Sequence, residues 1–308
     1  MALSAVALVG ATGTGKSALA MSLAAEQQTC LVSCDSMQVY RGLDIGTAKP
    51  SKQEQAAVRH ALIDCADVQE VWSAQTWANA ARDVIKQEND HGRMPIIAGG
   101  TGMYLKALLE GFAAVPDEKA GVRESFEVLQ QSYGTPYLHE KLKAIDPVLA
   151  DRLENQDTQR IIRGLSVFES TGVPLSVWQQ QQAHQQQENP IVCPVFVLET
   201  PRPVLRERLA QRFMQMLDMG WLDETKWLQA QGLADTHPVM RAVGYRQLLQ
   251  YVRGELDLDA ATTAGITATR GYAKRQSTWF RNQTPNAKRG DADSLTPFLK
   301  QAIKGLKL

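Results

Sequence analysis

The stretch ALVGATGTGKSALA, Ala7 to Ala20, reads as a strand, a glycine-rich turn and a helix in direct succession. Leu3 to Val9 is an apolar run of strand length closed by Gly10, and Ser17 to Glu26 places Leu19, Ala20 and Leu23 on one helical face. Between them, Gly10, Ala11, Thr12, Gly13, Thr14, Gly15, Lys16 and Ser17 match G-x-x-x-x-G-K-[ST] in full, in the strand-to-helix setting that gives the pattern its meaning. The glycines let successive backbone N–H groups turn toward an anion. The helix N-terminus adds partial positive charge, Lys16 can reach an outer phosphate, and Ser17 can hold Mg²⁺. The expected ligand is a phosphorylated compound with at least a diphosphate.

Outward from this turn, Thr29 to Ser33 predicts a second strand, His60 to Ala66 a third, and Met94 to Ala98 a fourth that breaks at Gly99-Gly100. Between the last two, Ser73 to His91 carries a helix pattern with Ser73 at its N-cap and Gly92 just past its end. Strands alternating with helices predict an α/β fold, a parallel sheet covered on both faces. From Asp117 the texture changes to helix signals without strands. Thr135-Pro136 and Asp146-Pro147 each place a capping residue before a proline at the first helical position, and Asp157 caps a run to Thr171 stopped by Gly172. An α-helical insertion over 117–189 is therefore expected, within a core made of 1–116 and 190–308. Gln179 to Gln187 is a polar, low-complexity tract suited to a solvated helix end or loop. Ile191 to Leu198 returns the chain to the sheet, and Pro203 to Leu217, Leu222 to Gln231 and Thr262 to Arg281 read as closing helices.

The chain has 308 residues, 44% of them apolar and 21% charged, as in ordinary soluble proteins. No apolar run reaches the roughly 18 residues that span a bilayer, and Met1 to Val9 lacks the positive region of a signal peptide, so a cytoplasmic protein without membrane contact is expected. Cys30, Cys34, Cys65 and Cys193 form no C-x-x-C pair, which argues against a disulfide framework or zinc site. The formal net charge is zero, but basic and acidic residues number 9 and 11 over 1–110, 7 and 12 over 111–199, and 17 and 10 over 200–308. Arg270 to Arg289 holds six basic residues and no acidic one, a pattern suited either to a phosphate backbone or to a solvated helix face.

The phosphate loop alone favours an ATP-consuming kinase. Such an enzyme needs a carboxylate ending another apolar strand, yet Met94 to Ala98 ends in GGTGMY, with Thr101 where that carboxylate would stand. The second strand instead leads into SCDSMQVYRGLDIGTAKP, Ser33 to Pro50. In a doubly wound sheet the C-terminal strand ends share one rim, which brings Asp35 beside the phosphate loop. There it could ligate Mg²⁺ through water, serve as general base or cap the next turn; Thr101 could equally cap the helix that starts at Gly102.

Seven segments in order, GATGTGKS (10–17), DSMQVYRGLDIGTAKP (35–50), IIAGGTGMYLKALLEG (96–111), DTQRIIRGLSVFESTG (157–172), RFMQMLDMG (212–220), MRAVGYRQ (240–247) and KRQSTWFRNQ (274–283), resemble the bacterial tRNA dimethylallyltransferases, also called tRNA isopentenyltransferases. The resemblance implies a P-loop NTPase-like, nucleotide-kinase-like fold with a helical insertion. It also implies transfer of a dimethylallyl group from dimethylallyl diphosphate to N6 of the tRNA adenosine 3′-adjacent to the anticodon, with Mg²⁺ held at Ser17. By the same resemblance, Lys16, Arg212 and the 10–17 amides bind the diphosphate, Asp35 takes the N6 proton, and Thr101 orients the amine or donor. Ser36, Met37 and Gln38 line the base pocket, Gln38 offering donor and acceptor to an adenine edge. The tRNA is expected to lie against Arg123, Gln159, Arg160, Ile161, Ile162, Arg163, Arg241, Lys274, Arg275, Gln276, Trp279 and Arg281, and the protein to act as a monomer. Two departures from the family pattern, Ala11 in place of a frequent proline and Gly164 in place of a frequent alanine, leave the chemistry intact. A rival of another class is a non-catalytic RNA-binding protein, against which Lys16, Ser17, Asp35 and Thr101 stand together.

Overall fold

A computed structural model describes residues 2–111, 115–185 and 190–305. In chain order the first part runs β1 (Leu3–Ser4), β2 (Val6–Gly10), α1 (Lys16–Gln27), β3 (Leu31–Cys34), α2 (Lys52–Ala57), β4 (His60–Ala61), α3 (Ala74–Asp90), β5 (Ile96–Gly99) and α4 (Gly102–Glu110). A helical stretch follows, α5 (Val122–Tyr133), α6 (Thr135–Ile145), α7 (Pro147–Ala150), α8 (Thr158–Thr171) and α9 (Leu175–Gln185). The chain then closes with β6 (Ile191–Val192), β7 (Val195–Leu198), α10 (Arg202–Asp218), α11 (Trp221–Ala230), α12 (Tyr245–Val252), α13 (Leu258–Gln283), β8 (Lys288–Gly290) and α14 (Ala292–Gly305). Residues Met1–Leu109 with Ile191–Leu308 form one compact unit and Glu110–Pro190 a second.

The main sheet has the order β4-β3-β5-β2-β7-β8, every pair parallel. Parallel neighbours need crossovers, and helices on both faces bury the central strands completely: all five residues of β2 are inaccessible. On one side Val6, Leu8, Leu23, Leu31, Ile96, Phe196 and Leu299 pack as one core under α1 and α14. On α3, Trp77, Ala78, Ala81 and Ile85 are the buried stripe, and the Trp77 indole N–H donates to the Ser33 carbonyl at 2.9 Å while its ring stacks on Tyr104 at 4.8 Å. Burial of each such large side chain contributes roughly 1.5–3 kcal/mol.

Register decides where the loops meet. Gly99 of β5 pairs with Val9 of β2 on one side and with Cys34 of β3 on the other. The turns that follow these three strands, which carry Thr12 to Ser17, Asp35 to Gln38 and Gly100-Thr101, therefore leave the sheet from one rim.

Several elements differ from expectation for local reasons. The apolar run Leu3 to Val9 divides at Ala5, because the Asn89 side chain accepts from Ser4 N at 2.8 Å and donates to Ser4 O at 2.9 Å, drawing β1 away to pair with β6. The strand expected over His60 to Ala66 stops at Ala61, since Leu62 and Asp64 adopt φ of 60° and 53°. Thr135 is not a cap: Gly134 is the N-cap and Thr135 is helical. Asp146, Asp157 and Ser73 do cap, their side chains accepting from Leu149, Arg160 and Thr76 N–H groups. Elements α2, α12, α14 and β8 were not foreseen, and the end of the glutamine-rich tract lies outside the described residues.

The unit Glu110–Pro190 has a core of its own, made of Leu138, Leu142, Leu149, Ile161, Ile162 and Leu165. Its buried carboxylate Asp146 is satisfied by N–H groups of Leu149 (3.0 Å) and Ser176 (2.9 Å).

Candidate active site

The turn from β2 to α1 is built around positive-φ glycines. Gly13 adopts φ 81°, a conformation strained for other residues, and a β-carbon there would lie 2.7 Å from a Leu209 methyl, which would have to shift. The Thr14 hydroxyl and Lys16 Nζ both donate to the Ala11 carbonyl, at 2.9 and 3.2 Å. Two side chains from distant sequence hold the turn from outside. Arg208 of α10 donates to Gly13 O at 3.1 Å, and Gln276 of α13 accepts from Thr12 N at 2.8 Å while donating to Gly100 O at 2.8 Å.

A cavity of about 290 Å³ opens at the shared rim. Thr12, Lys16 and Ser17 line it from the phosphate loop, Asp35, Ser36, Met37 and Gln38 from the β3 end, Gly46 to Ala48 from the following loop, and Arg212, Met216, Trp221, Arg241, Tyr245 and Tyr272 from the C-terminal helices and their loops. Gly10, Ala11, Gly13, Thr14 and Gly15 shape the turn without lining the cavity. Three cations and one carboxylate face this space, the balance an anionic ligand requires. Burial, reinforced by Arg212 and opposed by Asp35, lowers the Lys16 pKa from 10.5 to about 8. Burial also lowers Arg212, with Asp35 pulling the other way.

Asp35 is tethered by one oxygen. Its Oδ1 accepts the Met37 N–H at 2.9 Å, a short turn that orients the carboxylate and leaves Oδ2 to the cavity. Asp35 thus caps the turn, as one of its expected readings had it, and also lines the cavity. Thr101 neither caps α4 with its side chain nor lines the cavity. Its hydroxyl accepts from Ser36 N at 3.0 Å and donates to Ser36 Oγ at 3.4 Å, which ties it to the Asp35 turn, and it lies against the hydroxyl of Tyr272, a cavity-lining residue. Gln38 is likewise committed: Nε2 donates to the carbonyls of Thr47 and Ala48, both at 3.2 Å, and Oε1 accepts from Ser33 at 2.8 Å. Its donors are taken, which corrects the expectation that it offers both donor and acceptor to a base.

The remaining expected RNA contacts divide by burial. Ile161 and Ile162 are core residues of the insertion, 0% and 3% exposed, because they fall on the inward stripe of α8; their side chains cannot touch RNA. Gln276, 7% exposed, is the internal staple just described, which removes it too. Gln159 and Arg160 are exposed; Arg160 pairs with Asp157 at 3.0 Å, Arg163 with Glu118, and Arg123 with Glu127 at 3.4 Å. Lys274, Arg275 and Arg281 lie exposed along α13, and Arg241 is exposed at the cavity edge, its Nε donating to Asp235 O. Trp279 is half-buried, its indole so near Gly102 that a β-carbon there would come within 2.3 Å.

Tyr272 was missed. Burial and the neighbouring Asp35 charge raise its pKa, and its hydroxyl lies with Thr101 and Gln276. The signal was available, since Thr269, Tyr272 and Gln276 recur at helical spacing on α13 and all line the cavity. Arg208, Trp221 and Glu224 lie outside the segments that carry the resemblance, and Tyr245 lies inside MRAVGYRQ without having been given a role.

Against this geometry, the model of the family described as IPP transferase matches residues 38–283. The chain belongs to the IPP transferase family. Among IPP transferase relatives, the tRNA dimethylallyltransferase of Syntrophobacter fumaroxidans is 43% identical over 276 residues, 90% of this chain and 80% of that one. The crystal structure of the tRNA isopentenylpyrophosphate transferase from Bacillus halodurans is 34% identical, with a TM-score of 0.69 and coverage of 98% and 96% of the two chains. A eukaryotic dimethylallyltransferase acting on tRNA, 23% identical with a TM-score of 0.77, shares the fold over 98% of this chain and 76% of its own. The IPP transferase fold is thus the P-loop-like α/β sheet expected from the strand, turn and helix at Ala7 to Ala20.

Proposed function

We propose that this protein transfers a dimethylallyl group from dimethylallyl diphosphate to the N6 amine of the tRNA adenosine 3′-adjacent to the anticodon, releasing diphosphate. The observation that carries this reading is the meeting of Lys16, Ser17, Asp35 and Arg212 around one cavity, in a member of the IPP transferase family. The N6 lone pair attacks the allylic C1, the C1–O bond breaks with its electron pair leaving on the diphosphate, and the N6 proton passes to Asp35.

Lys16 and Arg212 stand where negative charge grows on the leaving diphosphate, and a half-buried site strengthens that attraction. Asp35 is held by the Met37 amide with one oxygen available as proton acceptor. Thr101 positions this turn through Ser36. Among the described residues no group of three or more His, Cys, Asp or Glu could hold a metal ion. Ser17, on the cavity wall at the start of α1, fits the mode in which Mg²⁺ takes one protein oxygen and fills its shell with phosphate oxygens and water. Bound there, Mg²⁺ would neutralise diphosphate charge. No helix among the described residues is long and apolar enough to cross a membrane.

The deciding experiment is incubation with dimethylallyl diphosphate, Mg²⁺ and an unmodified anticodon stem-loop, followed by mass spectrometry of the RNA. A gain of one isoprenyl unit on the adenosine is expected; ATP turnover without that gain would overturn the reading in favour of a kinase.

A further inference from the structure

Helix α11 carries a carboxylate that the transfer step does not use. Glu224 Oε2 accepts the N–H groups of Asp44 and Ile45, both at 2.8 Å, and Oε1 accepts that of Gly46 at 3.0 Å and the Tyr245 hydroxyl. Three successive amides aimed at one point make an anion nest, and here the anion comes from the same chain, at a sequence separation of 178 to 180 residues. The segment is held on other sides as well. Gln38 grips the carbonyls of Thr47 and Ala48, and Lys49 Nζ reaches Asp44 at 2.6 Å. Gly46 is pressed against Trp221 and Tyr245, where a β-carbon would lie 2.0 Å from the indole nitrogen and 2.5 Å from the phenol ring. Ala48 sits at φ 48°, a conformation that alanine keeps only when its surroundings impose it.

The pinned segment is a wall of the cavity: Gly46, Thr47 and Ala48 line it beside Ser36, Met37 and Gln38. We infer that Glu224, backed by the Tyr245 hydroxyl, is a positioning residue that fixes the 44–48 wall so that the acceptor base can sit beside Asp35. This rests on the transfer reaction proposed above. The phosphate loop, which would hold the donor, leaves the sheet after β2 and is tied to α10 and α13, not to this segment. Of the proposed diphosphate-binding residues only Arg212 borders the segment, so loss of the clamp acts on the acceptor more than on the donor.

The test compares wild type with Glu224→Gln and Tyr245→Phe, by kinetics in which stem-loop and dimethylallyl diphosphate are varied in turn and by hydrogen exchange of amides 44–46. Glu224→Gln is expected to raise KM for the stem-loop at least about tenfold, to leave KM for dimethylallyl diphosphate within about twofold, and to speed amide exchange at 44–46. Tyr245→Phe shifts the same quantities less, because the three amides keep their acceptor. Unchanged exchange, or a lower melting temperature with both KM values intact, would show a purely structural residue and overturn the inference. Wild-type protein that prenylates nothing would instead overturn the reaction, and slow exchange at 44–46 that Glu224→Gln fails to accelerate would then overturn the clamp as well.

Discussion

The proposed reaction gives the Asp35 carboxylate two roles, turn cap and proton acceptor, and a conservative change separates them. In Asp35→Asn the amide oxygen can still accept the Met37 N–H, so the turn survives while the proton acceptor is lost. Transfer is expected to fall by about 10² to 10⁴ with stem-loop affinity nearly unchanged, measured by single-turnover kinetics and by binding; retained activity would leave Asp35 as a turn cap alone. Lys16 makes a pH prediction. With its pKa at about 8 in the fold and 10.5 as its ordinary value, the unfolded chain holds a proton between these values that the folded chain has lost, so folding stability rises with pH across that window. An anion beside Lys16 pulls the proton back on, so binding of inorganic diphosphate at pH 8.5 (roughly mid-way in its titration) should take up a proton. Calorimetry in buffers of different ionisation enthalpy reads that uptake, and Lys16→Met should abolish it. Lys16 and Asp35 stood out in the sequence because each belongs to a local pattern, Lys16 at the start of the helix that follows β2 and Asp35 just past the end of β3. Tyr245 and Glu224 did not, since what gives them meaning is a partner loop nearly the length of the domain away.

At the scale of elements, sequence period sufficed where burial was uniform and failed where one side chain redirected the backbone. Helix α3 was readable from Ser73 to Gly92 because cap, stripe and stop all agree. The divided strand at Leu3 to Val9 was not, because its cause is Asn89, on another element. Helix α13 shows both sides of this: its length was partly visible, but its inner face was mistaken for an RNA face at Gln276. That residue ties the phosphate turn at Thr12 to the β5 turn at Gly100 with both ends of one amide. Gln276→Leu keeps the bulk and removes both hydrogen bonds, leaving a largely buried N–H and C=O unpaired. Such a change is expected to cost about 2–4 kcal/mol of stability and to weaken diphosphate binding, as measured by denaturant titration and calorimetry. Unaltered diphosphate affinity would show that the turn keeps its shape without the staple.

For the whole molecule, a formal charge of zero is compatible with RNA binding only because cations and anions are unevenly placed. In the insertion, Arg160 and Arg163 already face Asp157 and Glu118, so a phosphate arriving there exchanges one anion for another. The exposed Arg160–Asp157 pair contributes about 0–1 kcal/mol, the Arg163–Glu118 pair is partly buried, and in both the carboxylate already offsets the arginine, which adds little net attraction. Along α13, neither Lys274 nor Arg275 is paired with a carboxylate among the described residues, although the Arg275 guanidinium lies 5.8 Å from the Tyr272 ring centre. A phosphate placed there gains its full attraction and releases counterions. Removing both cations in Lys274→Ala/Arg275→Ala should therefore flatten the dependence of log affinity on log salt by about 1 to 2 for an anticodon stem-loop, whereas Arg160→Ala/Arg163→Ala should flatten it less. Filter binding of the stem-loop across a salt series reads both slopes. If the insertion pair proves the steeper contributor, its ion pairs open on binding, and the basic face of α13 is solvated surface that the RNA does not use.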